Sequence, residues 1–189
     1  IGKLSLSKSF SITNIRFDKI KGTLFSLVAK SEKKLDGVFI TNCIFSPIEW
    51  SKKGRLILAI HEVSSTGIIT NINILNCDFL GLKGPNIAAI MFNTGLISNI
   101  SVKNNNFYNI NSNSQSKGAI GVMIGSNGTN KTTKDVFISG NYFEDIKGGV
   151  GGNDATETHA IIVYGKNINI MNNTVIDMNY GNDNEAIYM

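Results

Sequence analysis

The 189-residue sequence predicts an all-β fold, a solenoid of about six stacked turns. Three observations predict it. One register recurs six times, a second apolar segment follows each recurrence, and Ile outnumbers Leu by 28 to 11, as β-branched strands require. The recurring segments are FSITNIRFDKI from Phe10, VFITNCIFSPI from Val38, INILNCDFLGL from Ile72, ISVKNNNFYNI from Ile100, VFISGNYFEDI from Val136 and INIMNNTVIDM from Ile168. Their starts lie 28, 34, 28, 36 and 32 residues apart. Repeats of this length with strand-like alternation stack so that each turn buries the apolar face of its neighbour.

Each column of the register has a physical meaning. Positions 1 and 3 alternate as in a half-buried strand. Position 5 is Asn14, Asn42, Asn76, Asn104, Gly140 and Asn172. Asn and Gly tolerate a left-handed backbone, so this column predicts a sharp bend between two strands. Position 6 is Ile15, Cys43, Cys77, Asn105, Asn141 and Asn173. It predicts an inward stack whose amides bond to one another and to the bend. Position 8 is Phe17, Phe45, Phe79, Phe107, Phe143 and Val175, an aromatic stack inside the coil.

The second segments are LFSLVA (24–29), LILAI (56–60), IAAIMF (87–92), AIGVMIG (119–125), AIIVYG (160–165) and AIYM (186–189). Each turn then holds about three short strands, two bends and one or two loops of variable length. A leucine-rich repeat has an overlapping register. It needs an apolar residue three before position 1, and this fails at Ser7, Thr133 and Gly165.

The pattern resembles the right-handed parallel β-helix of the pectate-lyase-like superfamily, which includes bacteriophage tailspikes. The resemblance covers residues 10 to 189. It implies a scaffold that presents strand faces and loops to long carbohydrate chains. The Arg-rich signatures of pectate lyases are absent, since neither Arg16 nor Arg55 has such a context. The Asn-Thr-Asp, Asp-Asp, Gly-His-Gly and Arg-Ile-Lys patterns of polygalacturonases are absent too. Irregular turns, long loops and an Asn-rich core are most like a tailspike. That implies a virion-tail protein, homotrimeric by analogy, which binds and depolymerises bacterial capsule or O-antigen by glycosidic cleavage. A non-enzymatic adhesin or structural β-helix, secreted or on a bacterial surface, is the alternative. A polysaccharide lyase or epimerase is the third reading.

Composition fits a single domain over 1–189, with turns starting near 10, 38, 72, 100, 136 and 168. The first and last turns read as incomplete, so a longer chain is expected. No run of 18 apolar residues occurs, so no membrane insertion is expected. Net charge is +4, but the lysines are scattered and only two arginines occur. Nucleic-acid binding would need a basic stripe with base-reading arginines. Cys43 and Cys77 share position 6 in consecutive turns, where parallel side chains suit a disulfide poorly, so buried free thiols are expected.

Chemistry is expected on the longest loops, in GGNDATETHAII (151–162) and YGNDNEAIY (180–188). Gly-Asn-Asp occurs in both and places Asp154 and Asp183 alike. Aligned on Ala160 and Ala186, Glu185 falls above His159 and Asp183 above Glu157. Asp154, Glu157, Asp183 and Glu185 are the candidate catalytic groups, with Asp145 and Asp177 as a reserve pair in their own column. Carboxylates on adjacent turns would lie roughly 5 Å apart and two turns away about 10 Å. These bracket the ~5–5.5 Å of retaining and ~6.5–9.5 Å of inverting glycosidases. The same residues also suit plain turn formation or a cation site. His159, Tyr164, Tyr188 and Trp50 are the candidate sugar contacts. Ala160, Ile162, Tyr164, Ala186 and Tyr188 are expected to face outward as an apolar strip. The reading needs no cofactor and assigns no metal ligands.

Overall fold

The computed structural model describes residues 3–5, 9–21, 23–28, 34–49, 56–62, 67–92, 96–113, 118–125, 133–149, 157–179 and 183–189. Within these, only the backbone is described at 3–5, Ser26, Val28, 56–59, 61–62, Glu157, Asn179, Asp183 and Asn184. The described residues form strands and connections, without helix. Strand β1 (Lys3–Ser5) comes first. Next are β2 (Phe10–Thr13), β3 (Arg16–Lys21), β4 (Phe25–Val28), β5 (Lys34–Thr41), β6 (Ile44–Glu49) and β7 (Leu56–Glu62). The middle holds β8 (Ile68–Leu75), β9 (Asp78–Leu80), β10 (Leu82–Gly84), β11 (Asn86–Phe92), β12 (Leu96–Lys103), β13 (Asn106–Ser112) and β14 (Ala119–Ile124). The chain continues through β15 (Thr133–Ser139), β16 (Tyr142–Lys147), β17 (Glu157–Val163), β18 (Lys166–Met171), β19 (Thr174–Asn179) and β20 (Asp183–Tyr188).

All the pairings are parallel and sort the strands into three sheets. Sheet I runs β2-β5-β8-β12-β15-β18. Sheet II runs β3-β6-β9-β13-β16-β19, with β10 bridging β6 and β13. Sheet III runs β1-β4-β7-β11-β14-β17-β20. The chain is therefore an all-β parallel solenoid. Position 1 of the register is one ladder: Phe10, Val38, Ile72, Ile100, Val136 and Ile168 pair in succession across sheet I. The closed core spans about four turns rather than six. The last repeat contributes only partly buried residues, Ile168, Ile170, Val175 and Met178, packed against it.

The aromatic column forms as the sequence predicts. Rings of Phe17, Phe45, Phe79, Phe107 and Phe143 follow one another at 5.3, 4.7, 4.8 and 4.6 Å, and the last three steps are within 5° of parallel. That rise matches the ~4.8 Å strand spacing, so the backbone ladder itself sets the stacking distance. The polar column forms beside it. Asn141 Oδ1 accepts from the Asn105 backbone N–H and from Asn105 Nδ2, each at 3.0 Å. Asn173 Oδ1 serves Asn141 in the same way at 3.0 and 2.9 Å. The free amide hydrogens reach Ile74 O, Val102 O and Ile138 O of the preceding coil. Every buried amide is thus satisfied within the column, the condition for keeping polar groups in a core.

Cys43 and Cys77 are free and buried. They imitate the asparagines: Cys77 Sγ accepts from the Cys43 N–H at 3.5 Å and donates to Leu75 O at 3.3 Å. Burial pushes the Cys77 thiol up to about 12. Ile15 departs from the inward expectation and is 43% exposed, because it joins β2 and β3, the terminal strands of sheets I and II, with no described coil stacked beyond them.

Three left-handed columns bend the coils, where the sequence marked only position 5. Position 5 is left-handed at Asn14, Asn42, Asn76, Asn104, Gly140 and Asn172. The residue before position 1 is left-handed at Gly37, Asn71, Asn99, Asp135 and Asn167. Position 10 is left-handed at Lys19, Gly81, Asn109, Asp145 and Asp177. Asn and Asp bond locally to their own backbone and so reduce a penalty of roughly 1–2 kcal/mol per residue. In sheet III the pairing skips Ala89, Gly121 and Ala160. A Cβ on Gly121 would come within 2.7 Å of both Ala160 O and the Phe143 ring, so this column stays small.

Candidate functional site

The acidic edge is built by β17 and β20, the last two strands of sheet III. Their register pairs Glu157 with Asp183, Thr158 with Asn184, and His159 with Glu185. These are the pairs obtained by aligning Ala160 with Ala186. Adjacent parallel strands hold such residues ~4.8 Å apart at the backbone. Glu185 is exposed, whereas His159 is 1% exposed. A carboxylate open to solvent therefore sits beside an imidazole fixed by its surroundings.

Tyr188 joins the group from two residues beyond position 186. Its ring lies 5.6 Å from His159 and 5.8 Å from Tyr164, edge-on to the latter. Tyr164 is set by the strand end before it. Gly125, left-handed at φ 84°, brings its backbone against the Tyr164 carbonyl, where any side chain would collide. Tyr164 N–H in turn donates to Ile124 O at 2.8 Å. Both tyrosines are half-buried, so one part of each is held and another faces out.

Two outward rows of sheet III lead to this cluster. One is Ala88, Ile120, His159 and Glu185, and the other is Met91, Met123, Ile162 and Tyr188. These rows are largely covered rather than open to solvent, since Ala88, Met91, His159 and Ile162 are buried and Ile120, Met123 and Tyr188 half-buried. The exposed apolar strip expected there does not form, and its membership changes. Ala160 belongs to the core with Ile161 and Val163, and His159 takes the outward place. The skipped pairing at Ala160 shifts the alternation by one, which strict period-2 reading cannot detect.

The other candidates lie elsewhere. Asp154 and Trp50 fall outside the described residues, and the side chains of Glu157 and Asp183 do as well. The reserve pair Asp145 and Asp177 sits in the left-handed position-10 column on sheet II, at φ 59° and 51°. Asp145 forms an ion pair with Lys147. Backbone geometry explains an Asp at both positions, and the register separates them from the group on sheet III. Nearby on sheet II, Tyr142 Oη donates to Glu144 Oε2 at 2.6 Å. That bond, with the Glu144 charge, holds the Tyr142 phenol above its ordinary range. Among the described residues, no three His, Cys, Asp or Glu side chains are placed to share a metal ion. No described helix is long and apolar enough to cross a membrane.

The arrangement is a parallel solenoid in which the rings of His159, Tyr164 and Tyr188 and the exposed Glu185 meet at one end of sheet III. No known family, curated protein or solved structure matches the chain.

Proposed function

We propose that this chain is part of a tailspike-like protein of the pectate-lyase-like kind, which binds and depolymerises bacterial surface polysaccharide by glycosidic cleavage. The observation that carries the reading is the grouping of His159, Tyr164, Tyr188 and Glu185 at one end of sheet III. Aromatic faces pack against sugar rings while carboxylates bond their hydroxyls or move protons. Glu157 and Asp183, in register, supply the acid and the base or nucleophile, with Asp154 as a further candidate. His159 orients Glu185. Trp50 is a further sugar contact. The resemblance to tailspikes makes the protein a homotrimer on the virion tail, in which copies pack around a common axis.

The experiment is product analysis on a panel of purified capsules and O-antigens. Reducing ends should appear without an ultraviolet-absorbing 4,5-unsaturated product. An absorbing product would replace hydrolysis by lyase chemistry. Binding with no product of either kind would make the protein an adhesin.

A further inference from the structure

The outer face of sheet II carries a depression of about 270 Å³, lined by Lys19, Ile20, Lys21, Pro47 and Glu49. It lies on β3 and β6, in the first two repeats, whereas the acidic edge belongs to sheet III and the last two. Position 10 explains where it opens. That column is left-handed in the flanking coils, at Lys19 and Gly81, but Pro47 has its φ locked near −65° by the ring and cannot follow. The strand path differs there from that of its neighbours.

Lys19 is unusual in the same column. Among the described residues it is the only left-handed one that is not Gly, Asn or Asp. Its side chain cannot form the local backbone bonds with which Asn and Asp ease that conformation. Strain of this kind is kept where the residue has a task, and here the residue lines a cavity.

We propose that this depression is a subsite for one sugar residue bearing a carboxylate. Lys19 and Lys21 would hold the carboxylate. Ile20 and Pro47 form an apolar floor suited to the C–H face of a sugar ring. Glu49 favours a sugar over a bare anion, since its carboxylate repels the charge of both alike but accepts bonds only from ring hydroxyls. The volume falls just short of the ~300–1,000 Å³ that encloses a drug-sized ligand, which suits a monosaccharide unit. The inference deepens the polysaccharide reading by making the polymer acidic. It uses none of the residues of the acidic edge.

Saturation-transfer NMR on the whole chain tests it, with sodium glucuronate, methyl glucoside and sodium acetate as separate probes. Glucuronate should receive saturation on its ring protons and outcompete both of the others, and added salt should weaken it. Lys19→Asn should raise the melting temperature, because Asn suits the left-handed site, and weaken glucuronate by about fivefold, the upper end for an exposed ion pair. Lys21→Gln, at an ordinary strand position, should weaken it similarly without a change in melting. Equal binding of acetate or methyl glucoside, no binding of glucuronate, or unchanged affinity in both variants would overturn the proposal. Loss of depolymerisation with glucuronate binding intact would defeat the reading of the acidic edge alone.

Discussion

At the scale of single residues, the column of small polar and thiol side chains is the most informative feature. Asn105, Asn141 and Asn173 each accept from the coil before and donate to a carbonyl there. Removing one leaves two neighbours short of a partner in a dry core. Asn141→Ala should therefore cost on the order of 1–3 kcal/mol, the usual penalty for orphaned buried groups, measured by urea denaturation. Unchanged stability would mean that the column bonds are not made. This column was legible in the sequence because Asn recurs at a fixed offset from an apolar strand. The position-10 column carries an equally regular signal, Lys19, Pro47, Gly81, Asn109, Asp145 and Asp177, but reads less clearly. Asp145 and Asp177 look like a carboxylate pair when only charge is considered. Their positive φ angles show that a bend needs a residue of that type.

At the scale of elements, the strands follow the register because each inward column repeats one residue class at the ladder spacing. Phe107 is fully buried between Phe79 and Phe143, at 4.8 and 4.6 Å. Phe107→Ala should cost about 3–5 kcal/mol, from lost burial plus a cavity that two flanking rings cannot close. Denaturant melts of the variant check this, and a cost near zero would remove the ring stack from the account. The strands of sheet III were less legible than those of sheet I. Alternation in IAAIMF and AIIVYG is interrupted by the skipped Ala89 and Ala160, so the outward set was displaced by one residue at Ala160. Small side chains there fit the close approach that Gly121 makes visible, and a hydrophobicity pattern does not distinguish that need from ordinary burial.

At the scale of the whole molecule, one ladder spacing organises backbone, rings and amides. The alignment of Ala160 with Ala186 was legible in the sequence, and the strand register bears it out by pairing Glu157 with Asp183 and His159 with Glu185. The sequence could not reveal that the Tyr188 ring reaches both His159 and Tyr164, because strand register fixes the backbone and not where the rings turn. If the protein assembles as the proposed homotrimer, light scattering should find three copies of the full-length protein. A monomer would overturn that assembly. The most direct test of the central claim is depolymerisation of a substrate polysaccharide by single Asp154→Asn, Glu157→Gln, Asp183→Asn and Glu185→Gln variants. At least one should lose roughly a hundredfold in rate with unchanged melting, the scale of a general acid or base, while Asp145→Asn and Asp177→Asn keep their activity. Full activity in all four edge variants, on a polymer the parent protein cleaves, would contradict the account.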